Sequence, residues 1–270
     1  MAEPPPEPVV VLVHGAHHDG GCWAQVVRLL ALRGVRAHAV DLPLTSYDDD
    51  TAAVREAVRR AAAGGRPVVL VAHSYGGLPV SAGGHGADRL VYVAARMPLP
   101  GRSPAELTPR WGHFAYRAAC AVRADGAVVL RPEARDVLYS ASPAVLADAA
   151  VRGWRPMWSA VPAEPLADPA WLHRPTLYVV CARDRTVRVE AQRACAAEAA
   201  ESAELDCDHA PFLSAPGALA ALLAGQAARA VQAARAVSAP PTSPAGTTPS
   251  AGSTARSTAS RCRWRGGAPA

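Results

Sequence analysis

The chain has 270 residues, half of them hydrophobic, which is long enough for one large α/β domain with a substantial core. Its formal net charge of +5 is unevenly placed: no acidic residue follows Asp208, the six arginines from Arg229 to Arg265 carry +6, and residues 1–228 hold 22 basic and 23 acidic side chains, or −1. The basic balance therefore belongs to the C-terminal end and argues against a nucleic-acid-binding domain; the lack of any run of about 18 apolar residues argues against a transmembrane span.

The first residues, Met-Ala-Glu-Pro-Pro-Pro, carry no basic segment followed by an apolar one, so a cytoplasmic location is expected. An apolar run at 9–13 predicts a buried strand, 22–33 a helix stopped by Gly34, 35–42 a second strand, and 50–63 a helix closed by Gly64-Gly65. Further strands are predicted at 68–72, 90–94 and 176–182, with a weak last one at 202–206. Helices are predicted at 190–200 and 215–236. This alternation predicts a mainly parallel sheet of about six strands flanked by helices. Residues 97–170 break the rhythm with ten prolines and with Trp111, Phe114, Tyr116, Tyr139, Trp154 and Trp158. They read as a small helical cap inserted over the sheet, whose aromatics form either the cap's own core or the wall of a ligand pocket. Trp111, Trp154 and Trp158 are the candidates for substrate contact. The expected organisation is one domain over 1–237 and a disordered Pro/Ser/Thr/Ala-rich tail over 238–270, a composition unable to offset its ordering entropy.

Ser74 is the candidate nucleophile. It follows a strand and precedes Gly76-Gly77, the layout of a tight strand–helix turn that exposes a serine hydroxyl. The usual G-x-S-x-G stands here as A-x-S-x-G, with Ala72 in place of the first glycine. A serine needs a general base, and His209 lies in a loop after the last predicted strand, at the carboxyl edge of the sheet. Asp184, directly after strand 176–182, is the candidate orienting carboxylate; the alternative for it is a surface ion pair with Arg183 or Arg185. Asp206 and Asp208 are rivals, though their closeness to His209 in sequence suits the end of a strand and its turn better. For an oxyanion hole, the N–H of Tyr75 and the N–H of Ala16, in the turn after the first strand, are the natural donors. His14, His17 and His18 in that turn read as a polar loop; with no supporting spacing or distant cysteine partner, no metal site is expected. The six cysteines are scattered without a C-x-x-C pair and read as buried small hydrophobes.

These segments resemble the α/β-hydrolase superfamily, and within it the small esterases grouped with plant methylesterases and hydroxynitrile lyases. The likeness rests on Val11-Leu-Val-His-Gly-Ala16, Cys22-Trp23, Asp41-Leu-Pro-Leu-Thr-Ser46, Val71-Ala-His-Ser-Tyr-Gly-Gly77 and Leu90-Val-Tyr-Val-Ala-Ala95. It continues through residues 98–104, Arg183-Asp-Arg185 with Gln192, and Asp208-His-Ala-Pro-Phe-Leu-Ser214, covering roughly 8–225. The resemblance implies an α/β-hydrolase fold with an inserted cap and a cofactor-free site using Ser74, Asp184 and His209, with Ala16 and Tyr75 as donors.

The expected activity is that of a serine hydrolase acting on a small-molecule ester, as a monomer or homodimer. A ligand-binding or receptor-like protein with little turnover is the alternative. A hydroxynitrile lyase is a further one, disfavoured because the resembling lyases use a lysine near the base and this chain contains no lysine.

Overall fold

The computed structural model describes residues 7–238. The strands are β1 (Val9–Val13), β2 (Arg36–Val40), β3 (Val68–His73), β4 (Arg89–Val93), β5 (Cys120–Val122), β6 (Val128–Leu130), β7 (Thr176–Cys181) and β8 (Glu201–Leu205). Six of them form one parallel sheet in the order β2-β1-β3-β4-β7-β8, while β5 and β6 pair antiparallel as a separate hairpin. The helices are α1 (Ala24–Ala31), α2 (Tyr47–Ala61), α3 (Gly77–Gly83), α4 (Pro104–Trp111), α5 (Phe114–Ala118), α6 (Ala134–Leu138), α7 (Ala144–Arg152), α8 (Val189–Glu198), α9 (Pro211–Ser214) and α10 (Pro216–Ser238).

The continuous apolar strands β1, β3, β4 and β7 are the sheet's interior, buried on both faces, whereas the edge strands β2 and β8 alternate between half-buried and exposed positions. On one face Val10, Leu12, Val69 and Val71 meet Val26 and Leu30 of α1 and Leu219 and Leu223 of α10. On the other, Val11, Val13 and Leu70 meet Val54 and Val58 of α2, Leu78 of α3 and Cys195 of α8. Because every strand runs the same way, all the strand-to-helix turns gather at one edge. β3 lies in the centre, with β1 and β4 as neighbours.

Several boundaries differ from the sequence reading for local reasons. Strand β2 stops at Val40 because its partner β1 stops at Val13, opposite it. The chain then turns as Asp41 accepts from the Gly20 amide and the Leu42 amide donates to His14 Nε2. Helix α2 starts earlier than expected because the Ser46 hydroxyl caps it by accepting from the Asp49 amide. The predicted helix from Cys22 opens instead as a short 3₁₀ turn, Gly20–Trp23, whose Gly21 amide donates to the Asp19 side chain. The segment between β4 and β7 holds α4 to α7 as expected and also the β5–β6 hairpin, which was not expected. Its signal was present: Asp125-Gly126 between two valine-containing runs, with Gly126 at φ +83°. The tail expected from residue 238 lies outside the described residues, apart from Ser238 at the end of α10. Among the described residues no helix is long and apolar enough to cross a membrane.

Candidate active site

Ser74 sits at φ +51°, in the left-handed region that a non-glycine residue enters at a cost, between the end of β3 and the start of α3. The turn is tight because the following backbone runs against β1: a Cβ at Gly76 would lie 2.5 Å from the His14 carbonyl oxygen. Gly15 is equally constrained, since a Cβ there would lie 2.8 Å from Ser74 Cβ. Ala72 in place of glycine raises no conflict. It lies within β3, paired to Val13 and Tyr92, and the positive φ falls on Ser74 alone in this turn.

His209 lies on the loop between β8 and α9, and Asp184 on the loop after β7. His209 Nε2 is 3.0 Å from Ser74 Oγ, and His209 Nδ1 is 2.7 Å from Asp184 Oδ2. With the Nδ1 proton donated to the carboxylate, Nε2 is free to accept from the serine hydroxyl. Both His209 and Asp184 are buried. Asp184 is fully engaged: Oδ1 accepts from the amides of Thr186 and Val187 at 2.7 and 2.9 Å, and Oδ2 also accepts from Gln192 Nε2 at 2.8 Å. Gln192 is itself fixed, because its Oε1 accepts from the Cys181 amide. In the sequence Gln192 counted only toward the resemblance, together with Arg183-Asp-Arg185; its role in orienting the carboxylate was not read there.

The two rival carboxylates have other partners. Asp206 is exposed and pairs with Arg183 at 2.8 Å. Asp208 is buried and accepts four hydrogen bonds, from the amides of Ala141 and Ala210 and the hydroxyls of Ser142 and Ser214. It ties the His209 loop to the segment before α7.

Behind His209 lies His73, whose Nε2–H donates to the His209 carbonyl oxygen at 2.8 Å. Burial holds the pKa of His73 well below the usual imidazole value, so it is neutral. Phe212 packs edge-on against it.

The turn after β1 approaches Ser74 through Gly15 and Ala16. No backbone acceptor among the described residues takes the Ala16 amide. Tyr75 lies in the first turn after the nucleophile position, where helical amides lack an internal partner. The Tyr75 side chain is anchored at its far end: its hydroxyl donates to Asp50 Oδ2 at 2.7 Å, and Ser159 donates to the same oxygen at 2.6 Å. Asp50 Oδ1 accepts from the Leu44 amide. Thus Asp50, in the first turn of α2, joins the Ser74 turn to the segment carrying Ser159. His14, His17 and His18 each spend a ring nitrogen on a carbonyl oxygen, of Gly15, Arg155 and Ala16 respectively. Burial lowers the pKa of all three, that of His18 to about 3. Among the described residues no cluster of three or more His, Cys, Asp or Glu side chains is arranged to hold a metal ion.

The three candidate tryptophans are spread apart. Trp111 is buried and lines a cavity of about 530 Å³ between α4 and α8. Trp154 donates its indole N–H to the Tyr139 hydroxyl at 2.9 Å and stacks on that ring, against the core on the α1 and α10 side of the sheet. Trp158 is 43% exposed. Of the three, Trp111 is therefore the one found in a cavity wall; Trp154 serves packing, and Trp158 faces solvent.

A serine at a strained strand–helix turn, with imidazole and carboxylate aligned behind it at the carboxyl edge of a parallel sheet, marks the α/β-hydrolase class. Residues 10–222 match the family model described as "Alpha/beta hydrolase family", and the chain belongs to that family. It is 27% identical over 252 residues to the alpha/beta hydrolase nvfD of Aspergillus novofumigatus, a match covering 83% of this chain and 98% of that protein. The esterase PIR7B of Oryza sativa subsp. japonica is 36% identical over 107 residues, covering 34% of this chain and 40% of the esterase. A crystal structure of a pyrethroid hydrolase from Sphingobium faniae shares the fold, with a TM-score of 0.68 and 24% identity over 82% of this chain and 97% of that one.

Proposed function

We propose that this chain is a serine esterase that cleaves a small carboxylic ester through an acyl-enzyme. The observation that carries this reading is the unbroken line from Ser74 Oγ through the His209 imidazole to Asp184, with steps of 3.0 and 2.7 Å. Ser74 gives its proton to His209 Nε2 as Oγ attacks the ester carbonyl carbon. The carbonyl electron pair moves onto oxygen, where the amides of Ala16 and Tyr75 stabilise the charge. Collapse of this intermediate breaks the bond to the alcohol oxygen, which leaves with the proton from Nε2. Water then gives a proton to His209 and adds to the acyl carbon; Ser74 Oγ departs, recovers the proton, and the acid is released. Asp184 holds the Nδ1–H tautomer and stabilises the imidazolium that forms twice in the cycle. The neutral state of His73 suits this cycle, since a second positive charge beside His209 would oppose imidazolium formation. The esterase character of the rice relative supports an ester substrate.

A fluorophosphonate probe tests nucleophile and activation together. The full chain should be labelled and should turn over p-nitrophenyl butyrate, and Ser74→Ala should abolish labelling and lower kcat on the order of 10⁵–10⁶-fold. Labelling of the wild-type chain without turnover would assign it to ligand binding instead, and the absence of both would refute the proposal.

A further inference from the structure

The cavity between α4 and α8 has an unusual floor. It is walled by apolar side chains, among them Leu78, Met97, Leu107, Trp111 and Cys195, yet Arg96 also lines it. Arg96 is half-buried, and burial lowers its pKa to about 10, so it is still charged at neutral pH. Its one hydrogen bond from the guanidinium runs from Nη1 to Thr108 Oγ1 at 2.9 Å, and Thr108 in turn donates to the Pro104 carbonyl oxygen. No carboxylate among the described residues forms an ion pair with it. A half-buried guanidinium without a carboxylate partner keeps its planar fork open, and that fork matches a carboxylate in two parallel hydrogen bonds. Three more arginines line the cavity, Arg102, Arg110 and Arg188, beside Glu190, and Arg102 is paired with Glu106 at 3.5 Å, so the balance there stays positive. Such a lining draws anions toward an apolar interior. A volume of about 530 Å³ lies within the size range of small-molecule sites.

We propose that this cavity binds an apolar carboxylate, with the carboxyl group on Arg96 and the hydrocarbon against Leu107 and Trp111. Ser74, His209 and Asp184 are not among the residues that line it. Its walls nevertheless touch the reaction site through the backbone. The Arg96 amide donates to the Ser74 carbonyl oxygen at 2.9 Å, and the Val187 amide, one residue from Arg188, donates to Asp184. The carboxylate therefore comes either from a free acid bound beside the site or from the remote end of an acidic ester substrate; the second source alone rests on the esterase reading.

The test is calorimetric titration of the full Ser74→Ala chain with octanoate, and with octanol as the uncharged control. Octanoate should saturate a single site and bind at least about tenfold tighter than octanol, given the worth of a charge-assisted pair. Arg96→Met should weaken octanoate by about tenfold to a hundredfold and leave octanol unchanged, with Arg96→Lys in between because it keeps the charge and loses the fork. In the wild-type chain, competitive inhibition of p-nitrophenyl butyrate turnover by octanoate that Arg96→Met relieves identifies the carboxylate as part of the substrate, and non-competitive inhibition relieved by the same substitution identifies a separate acid. The proposal is overturned if octanoate does not saturate, if octanol binds as tightly, or if Arg96→Met leaves octanoate affinity unchanged. Should Arg96→Met fail to fold, the octanoate–octanol comparison still decides. Since binding is read without turnover, a failure of this site is distinct from a failure of the esterase reading.

Discussion

Replacing Asp184 by asparagine tests the assignment of the orienting carboxylate most directly, because the surroundings leave the amide one tolerable orientation. Asp184 Oδ1 faces two backbone amides, of Thr186 and Val187, that cannot move away. The asparagine oxygen must take that side, which turns its NH₂ toward His209 Nδ1 and Gln192 Nε2. Gln192 cannot flip to compensate, because its Oε1 is held by the Cys181 amide. His209 Nδ1 then becomes an acceptor, the ring proton moves to Nε2, and the nitrogen 3.0 Å from Ser74 Oγ can no longer take a proton. The loss expected from the wrong tautomer is on the order of 10⁴ in kcat, or about 5.5 kcal/mol of transition-state stabilisation. Stability should fall by only about 1–3 kcal/mol, from the opposed NH₂ groups. The assay is steady-state hydrolysis of p-nitrophenyl butyrate near neutral pH, with circular dichroism and urea unfolding to establish that the variant is folded. A folded Asp184→Asn chain that keeps more than about a tenth of wild-type kcat would refute this geometry as the basis of catalysis.

The other carboxylates and the buried histidines give contrasting expectations. Asp208→Asn turns an NH₂ group toward one backbone amide that Asp208 now satisfies, the serine hydroxyl on that side being free to turn and accept, so urea unfolding should show a loss of about 1–3 kcal/mol, while kcat of the folded variant stays within about tenfold of wild type. Asp50→Ala strands the Tyr75 hydroxyl, the Ser159 hydroxyl and the Leu44 amide, and should cost at least about 3 kcal/mol and lower kcat by loosening the Ser74 turn. Ser159→Ala, which leaves Asp50 two of its donors, should cost less than Asp50→Ala in both measurements. His18 has its pKa lowered by burial to about 3, so the unfolded chain binds its proton first and stability is lost as pH falls through 6.5. Between pH 7 and pH 5 this one residue should remove about 2 kcal/mol, seen as a lower urea midpoint at pH 5; His18→Phe should flatten that decline, and an unchanged slope would show that His18 is not buried in its neutral form.

What the sequence determined by itself is what local pattern can encode. The apolar runs at 9–13 and 68–72 specify buried strands because only a strand covered on both faces tolerates such continuity, and both appear, as β1 and β3. The turn at Ser74 follows from a strand, a small residue and two glycines in succession, and Ser74, Asp184 and His209 stand in the order their strands impose along the chain. Asp184 stood out in the sequence by its place directly after a strand, but only tertiary structure brings it to His209 and gives its two rivals other partners. Asp206 and Asp208 are near His209 in sequence, but one points to solvent beside Arg183 and the other into four donors, while Asp184 arrives from the neighbouring strand. It also decided that Asp50 is buried under Tyr75 and that Trp111, Trp154 and Trp158 part company. Finally, it decided that Arg96, three residues after β4, lines a cavity with no carboxylate among the described residues to pair with it. The physical reason is common to all four cases: a side chain's partner depends on which elements pack together and which way each residue points, and these contacts join positions tens to more than a hundred residues apart that no local pattern relates.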